Sequence, residues 1–270
     1  PDLSHAQHLL TDIVGAAPKE GVRCPNMESL YEYGSRAGFW RLHRLFTGKE
    51  VPITVYACAM ALERNPDAAK AMIEADWEVA SHGYRWIDYQ YVDEETEREH
   101  IRKAVKITER VCGKRPLGIY QGKPNPNTRR IVQEEGFLYD SDSYNDDLPY
   151  WNMEYGKAHL VIPYTLDNND MRFATAQGFN SGDQFFAYLR DSLDFLLEEG
   201  RQGAPKMMSI GLHCRLVGRP GRAAALSRFL DYLKSKGDEV WVCKREEIAR
   251  HWYKEHPPGV AGSPTPDSCS

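Results

Sequence analysis

From residue 50 onward, short runs of β-branched, aromatic and other apolar residues alternate with longer stretches in which apolar positions recur every three or four residues. That alternation is the mark of repeated β-α units built on a parallel sheet. The short runs predict strands at 53–58, 77–81, 117–120, 137–140, 159–163, 207–213 and 239–243. Seven strands, mostly separated by helices, favour a closed or barrel-like sheet. Helix punctuation agrees with this. Asn65-Pro66 offers an N-cap and a first-turn proline for a helix over 67–75, and Asp93 caps a long helix that stops at Gly113. Ser181 opens a helix closed by Gly200, whose stripe Phe185, Phe186, Leu189, Leu193, Leu196 and Leu197 reads as core. Helices over 222–235 and 246–253 complete the pattern.

Two regions depart from it. Residues 141–151 and 165–171 are rich in Asp, Asn, Ser, Thr and Tyr, and long polar-aromatic loops inside a compact domain usually bind something. Residues 257–270, rich in Pro, Gly and Ser, predict a disordered tail. Residues 1–22 show only a short helical pattern near 8–14. The expected organisation is a single catalytic α/β barrel domain over 23–256, preceded by a segment that reads as the remnant of a longer N-terminus.

Composition narrows the function. With 270 residues, 41% of them hydrophobic, the chain can bury one substantial core. A net charge of -5 supplies no basic field, so nucleic acid is not an expected partner. Six cysteines lie far apart with no C-x-x-C, which fits a reducing compartment and offers no zinc signature. No window approaches the ~18 apolar residues of a membrane span, and no secretory signal is legible. A cytoplasmic protein without a membrane partner is expected.

The candidate chemistry sits at the ends of two predicted strands. Trp77-Glu78-Val79-Ala80-Ser81 leads to His82 and Gly83, and Met207-Met208-Ser209-Ile210-Gly211-Leu212 leads to His213. Carboxyl ends of parallel strands meet at one face, so both histidines are expected at one mouth. Four residues beyond His82, where a second metal ligand would be useful, stands Trp86, which cannot coordinate. With Asp88 the only carboxylate close by, a three-ligand zinc site is not supported, and no cofactor is expected.

The segment Ala80-Ser81-His82-Gly83-Tyr84-Arg85-Trp86-Ile87-Asp88-Tyr89 resembles the polysaccharide deacetylase superfamily, and within it the branch of metal-independent allantoinases. The likeness extends through Asn26–Gly38, Pro126-Asn127-Thr128-Arg129-Arg130, Tyr139-Asp140-Ser141-Asp142-Ser143-Tyr144, Pro163-Tyr164-Thr165-Leu166-Asp167, Gly178-Phe179-Asn180-Ser181-Gly182-Asp183 and Leu212-His213-Cys214-Arg215, covering roughly 22–253. Deacetylases of this superfamily hold a divalent metal with an aspartate and two histidines. In the allantoinase-like branch a tryptophan replaces the second histidine and a glutamate the aspartate, and Trp86 matches that branch.

The resemblance implies a distorted (β/α) barrel of the NodB-like deacetylase type, a homotetramer, and hydrolytic opening of the hydantoin ring of allantoin, a small-molecule ureide, to allantoate. It places His82 and Trp86 at two former metal-ligand positions and His213 at the general-acid histidine. Ring opening by water needs a base, an oxyanion donor and an acid for the leaving nitrogen. His82 and His213 suit the base and acid roles, and Trp86 shapes the pocket and offers one N–H. Substrate-binding candidates are Lys123, Tyr120, Asp142, Arg36 and Glu28, with Asp140 able to orient a histidine. The chain departs from the family twice. No acidic pair followed by glycine can be read in residues 1–23, so the acid is expected upstream of Pro1 or from elsewhere. Lys123 stands in a stretch where an arginine-bearing motif is expected, and a point charge is not equivalent to a planar fork. Two competing functions remain: a metal-dependent N-deacetylase of chitin or peptidoglycan sugars, and a catalytically silent subunit.

Overall fold

A computed structural model describes residues 23–259 of the chain. The expected helix near 8–14, the N-terminal segment 1–22, and the tail beyond residue 259 lie outside the described residues. The chain begins with α1 (Pro25–Tyr33), a π-helical turn (Gly34–Gly38) and α2 (Phe39–Gly48), then β1 (Thr54–Ala57), α3 (Ala59–Arg64) and α4 (Pro66–Glu74). It continues through β2 (Glu78–Ser81), α5 (Glu94–Cys112), β3 (Gly118–Ile119), α6 (Thr128–Glu134), β4 (Tyr139–Asp140), β5 (Tyr150–Asn152) and β6 (His159–Val161). Last come α7 (Gly182–Arg201), α8 (Pro220–Lys234) and α9 (Arg245–Glu255). Among the described residues these elements form two compact units, a helical one from 23–50 and 165–241, and a sheet-bearing one from 51–164 and 242–259.

The sheet unit is the parallel-rich α/β arrangement that the alternating pattern predicts. Its strand order is β1-β2-β3-β4-β6-β5, parallel throughout except for the β5–β6 pair. Ser81 lies opposite Ile119, and Ile119 opposite Asp140, so the residues after β2, β3 and β4 leave the sheet side by side. Beneath them Ile101, Val105, Ile119, Ile131, Val132 and Phe137 form one buried cluster that fastens α5 and α6 to the sheet. Each such side chain contributes about 1.5–3 kcal/mol when fully buried. Asp93 caps α5 as expected, accepting from Thr96 N at 2.9 Å, and Gly113 ends it in the left-handed conformation.

Four sequence expectations change. The run 207–213 makes only a single bridge, Gly211 with Asn169, and 239–243 forms no strand, its start lying in a 3-10 turn (Gly237–Glu239). Conversely, β5 arises in the stretch read as loop, where Tyr150 and Trp151 are buried. A strand exists only where a partner satisfies its backbone, and an apolar run alone does not specify that partner. Asn65 precedes α4 without capping it through its side chain, which instead donates to Ala61 O at 2.9 Å at the end of α3.

In the helical unit, Ser181 caps α7 by accepting from Gln184 N at 3.3 Å. Phe185, Leu189 and Leu193 are its buried stripe, while Phe195 is 68% exposed and the helix runs past Gly200 to Arg201. At 3.6 residues per turn, Phe195 lies off the face that Phe185, Leu189 and Leu193 share.

Candidate active site

The sheet unit gathers most of the predicted chemistry at the carboxyl ends of β2, β3 and β4. His82 follows β2 directly, and the chain turns at Gly83, whose φ of +70° suits glycine. The His82 ring stacks on the Tyr120 ring, centroids 5.2 Å apart and planes within 10°. Its Nδ1 meets the Tyr120 carbonyl, which can only accept. Nδ1 therefore carries a hydrogen, and in the neutral ring the lone pair is on Nε2.

The loop after β3 closes on this ring. A Cβ at Gly122 would stand 3.0 Å from His82 Cε1 and 3.2 Å from Trp86 Nε1. Backbone, imidazole and indole thus converge, and a side chain at this position would force one of them to give by a few tenths of an ångström. Lys123 Nζ lies 5.0 Å from the Trp86 ring centroid, a cation–π contact that holds the ammonium over the indole. Tyr120 donates to or accepts from Tyr144 through hydroxyls 2.7 Å apart, and packs against Tyr164 at 4.5 Å and Tyr56 at 5.4 Å. Tyr56 OH in turn donates to Ser141 Oγ at 2.7 Å.

Two aspartates, one ending β4 and one two residues on, differ in their work. Asp142 braces the loop: its Oδ2 accepts from Gln121 N and its Oδ1 from Gly122 N, both at 2.7 Å. Burial and the neighbouring Asp140 charge push its carboxyl up to about 7, against the pull of those two amides. Asp140 is 1% exposed and accepts from Arg129 Nε at 2.9 Å, with His159 Nε2 at 3.1 Å. Burial opposes its charge, but His159 and Arg129 outweigh that and hold its carboxyl below the usual range. The histidine that meets Asp140 is His159.

The helical unit holds the other strand-end candidate. His213 Nδ1 lies 2.6 Å from Asp170 Oδ1, and Asp170 Oδ2 accepts from the backbone N–H of His213 at 2.8 Å and of Val217 at 2.9 Å. Asp170 is fully buried whereas the His213 side chain is 31% exposed, so a hidden carboxylate accepts from the Nδ1–H of a partly exposed imidazole. Of the remaining predicted residues in this unit, Glu28 is buried and paired with Arg23 at 3.0 and 2.6 Å, which holds its carboxyl below the usual range. Arg36 is exposed on the π-helical turn, a feature often found at functional sites.

His82, Trp86, Tyr120, Lys123 and Asp142 are thus brought together in one unit, while His213, Glu28 and Arg36 belong to the other. Sequence reasoning missed Asp170. It stands in Asp167-Asn168-Asn169-Asp170, where nothing local distinguishes the buried carboxylate from the one that is 64% exposed at Asp167.

The model of the polysaccharide deacetylase family matches residues 19–139. A Schizosaccharomyces pombe protein named “Putative polysaccharide deacetylase” is 46% identical over 257 residues, 89% of this chain and 80% of the relative. The chain belongs to the polysaccharide deacetylase family. Two solved structures superpose on it with TM-score 0.88, each over 91% of this chain and 82% of the other. One is a “probable Polysaccharide deacetylase” from Pseudomonas aeruginosa PAO1, 61% identical, and the other is PuuE allantoinase, 59% identical. The fold is accordingly of the NodB-like deacetylase type.

The superfamily's deacetylases carry a divalent metal, and the described residues do not fit one. No group of three or more His, Cys, Asp or Glu side chains among them is placed to hold a cation. His82 has the indole of Trp86 beside it where a ligand would be required, and an indole N–H donates without coordinating. No helix among the described residues is long and apolar enough to cross a membrane.

Proposed function

We propose that the chain is a metal-independent allantoinase, a hydrolase that opens the hydantoin ring of allantoin to allantoate. The observation that carries this reading is Trp86 packed with His82 against Gly122, at the position where the family's deacetylases need a ligand, in a chain 59% identical to PuuE allantoinase.

The roles follow from hydrogen bonding. His82, with Nδ1–H given to a neutral carbonyl, keeps a lone pair on Nε2 and serves as the base that takes a proton from water. Within the helical unit, the Asp170 carboxylate that backs His213 offsets an imidazolium charge, which suits that histidine to an acid role. Trp86 Nε1 and Lys123 supply donors for the developing oxyanion. The reading includes a cytoplasmic homotetramer, for which sedimentation of the purified protein is the check.

Hydrolysis of allantoin by protein dialysed against EDTA, followed by NMR of the substrate, tests the reading. Full activity after chelation supports it. Activity only with added zinc on an N-acetylated sugar polymer replaces it with a deacetylase, and inertness toward both leaves a silent subunit.

A further inference from the structure

Glu97 is a buried acid that the reaction outlined above does not use. It lies on α5 with no solvent exposure, one turn from the helix start, on the buried face that also carries Ile101, Ala104, Val105 and Thr108. Its Oε2 accepts from Asn125 Nδ2 and its Oε1 from Thr128 Oγ1, both at 2.5 Å. Burying a carboxyl between two neutral donors is unfavourable compared with an aliphatic side chain, and burial pushes this one up from its ordinary value.

What those donors belong to gives the acid a use. Asn125 Nδ2 also donates to Tyr89 O at 3.3 Å, and Tyr89 N donates to Lys123 O at 3.1 Å. Tyr89 ends the segment that carries His82 and Trp86, whereas Asn125 and Thr128 end the loop that carries Gly122 and Lys123. Asn125 Oδ1 accepts from Asn127 N at 2.6 Å, and Thr128 Oγ1 accepts from Asn125 N at 2.9 Å, so both side chains have fixed orientations. Two loops are pinned to each other, and the pin is anchored on one helix residue.

We infer that Glu97 is a positioning residue for the His82–Trp86 site, setting through Asn125 and Thr128 the register in which Gly122 and Lys123 meet the imidazole and indole. The inference rests on the allantoinase reading only for its kinetic arm. The loop backbone passes close to both rings at Gly122, where even a methyl group would stand 3.0 Å from His82 Cε1 and 3.2 Å from Trp86 Nε1. Asp142 holds the near end of that loop by the amides of Gln121 and Gly122, and Glu97 holds the far end.

The test compares Glu97→Ala, Glu97→Gln and Thr128→Val with Ile101→Val, which loosens the same helix in its core without touching the pin. Carbon–proton correlation spectra of the whole chain report the His82 and Trp86 rings, assigned with His82→Gln and Trp86→Phe. Glu97→Ala and Thr128→Val are expected to move both ring signals more than Ile101→Val does. They should also lower kcat for allantoin about tenfold or more with KM changed less than about threefold. Glu97→Gln, keeping one acceptor, falls between. A folded Glu97→Ala protein with ring signals and kcat like those of Ile101→Val overturns the inference, and Thr128→Val makes the same comparison should Glu97→Ala not fold. If the parent leaves allantoin intact, the ring signals alone decide, and only the allantoinase reading falls.

Discussion

Gly122→Ala isolates the contact on which the site depends, because the chain contains its own control. Gly122 and Gly136 have similar positive φ, +84° and +77°, so an alanine at either position suffers similar backbone strain. That strain costs about 1–3 kcal/mol. At roughly 2–4 °C per kcal/mol for a chain of this size class, each variant should melt roughly 2–12 °C lower. Around Gly136 nothing lies within 4 Å of the added methyl, whereas at Gly122 it meets His82 Cε1 at 3.0 Å and Trp86 Nε1 at 3.2 Å. Ordinary contact begins at 3.4 Å, so the rings or the loop must give by a few tenths of an ångström. Since a misplacement of about 1 Å costs about 100-fold in rate, Gly122→Ala should lose about 3- to 10-fold in kcat. Gly136→Ala should keep kcat within about twofold. Calorimetry and allantoin turnover of the two variants are measured side by side. Equal activity in both, at matched loss of stability, refutes the convergence of His82, Trp86 and Gly122 as the reacting site.

Further outcomes follow from individual contacts. Asp170→Asn leaves at least one of three donors facing an amide N–H₂, and should cost about 1–3 kcal/mol in denaturant unfolding and at least about tenfold in turnover. Unchanged turnover in both Asp170→Asn and His213→Ala would remove His213 from the reaction. Asp142, whose folded carboxyl titrates near 7 rather than near 3.8, favours its protonated form in the fold, so its contribution to stability is present below about 4 and declines as pH rises toward 7. Carboxyl carbon NMR should find a transition near 7 that Asp142→Asn abolishes. Asp140 behaves oppositely, its stabilising pairing being present above 3.8 and lost as acid protonates it below that value, which Asp140→Asn should flatten in acid unfolding curves. Arg245 is buried and donates to Ser141 Oγ, Ile162 O and Pro163 O at 3.1–3.2 Å, so Arg245→Lys, a point charge in place of a fork, should destabilise by about 1–3 kcal/mol in urea titrations.

Much of this protein was legible along the chain. The β-α alternation, the Asp93 and Ser181 caps and the terminating Gly113 are local, since a cap bonds to an amide two or three residues away and carries its own signature. His82 and Trp86 could be singled out for the same reason, since a strand end and a four-residue interval are local features of the chain. Tertiary structure alone decided partnership. It turned 150–152 into a strand and left 207–213 with one bridge, because strand pairing is settled by the neighbour and not by the run. It chose Asp170 from among neighbouring polar residues to back His213, and it gave Asp142 to two loop amides and Asp140 to Arg129 and His159. Carboxylates look alike in sequence. Their charge, proton and purpose are assigned by what the fold places within 3 Å of each oxygen, and those donors come from distant parts of the chain.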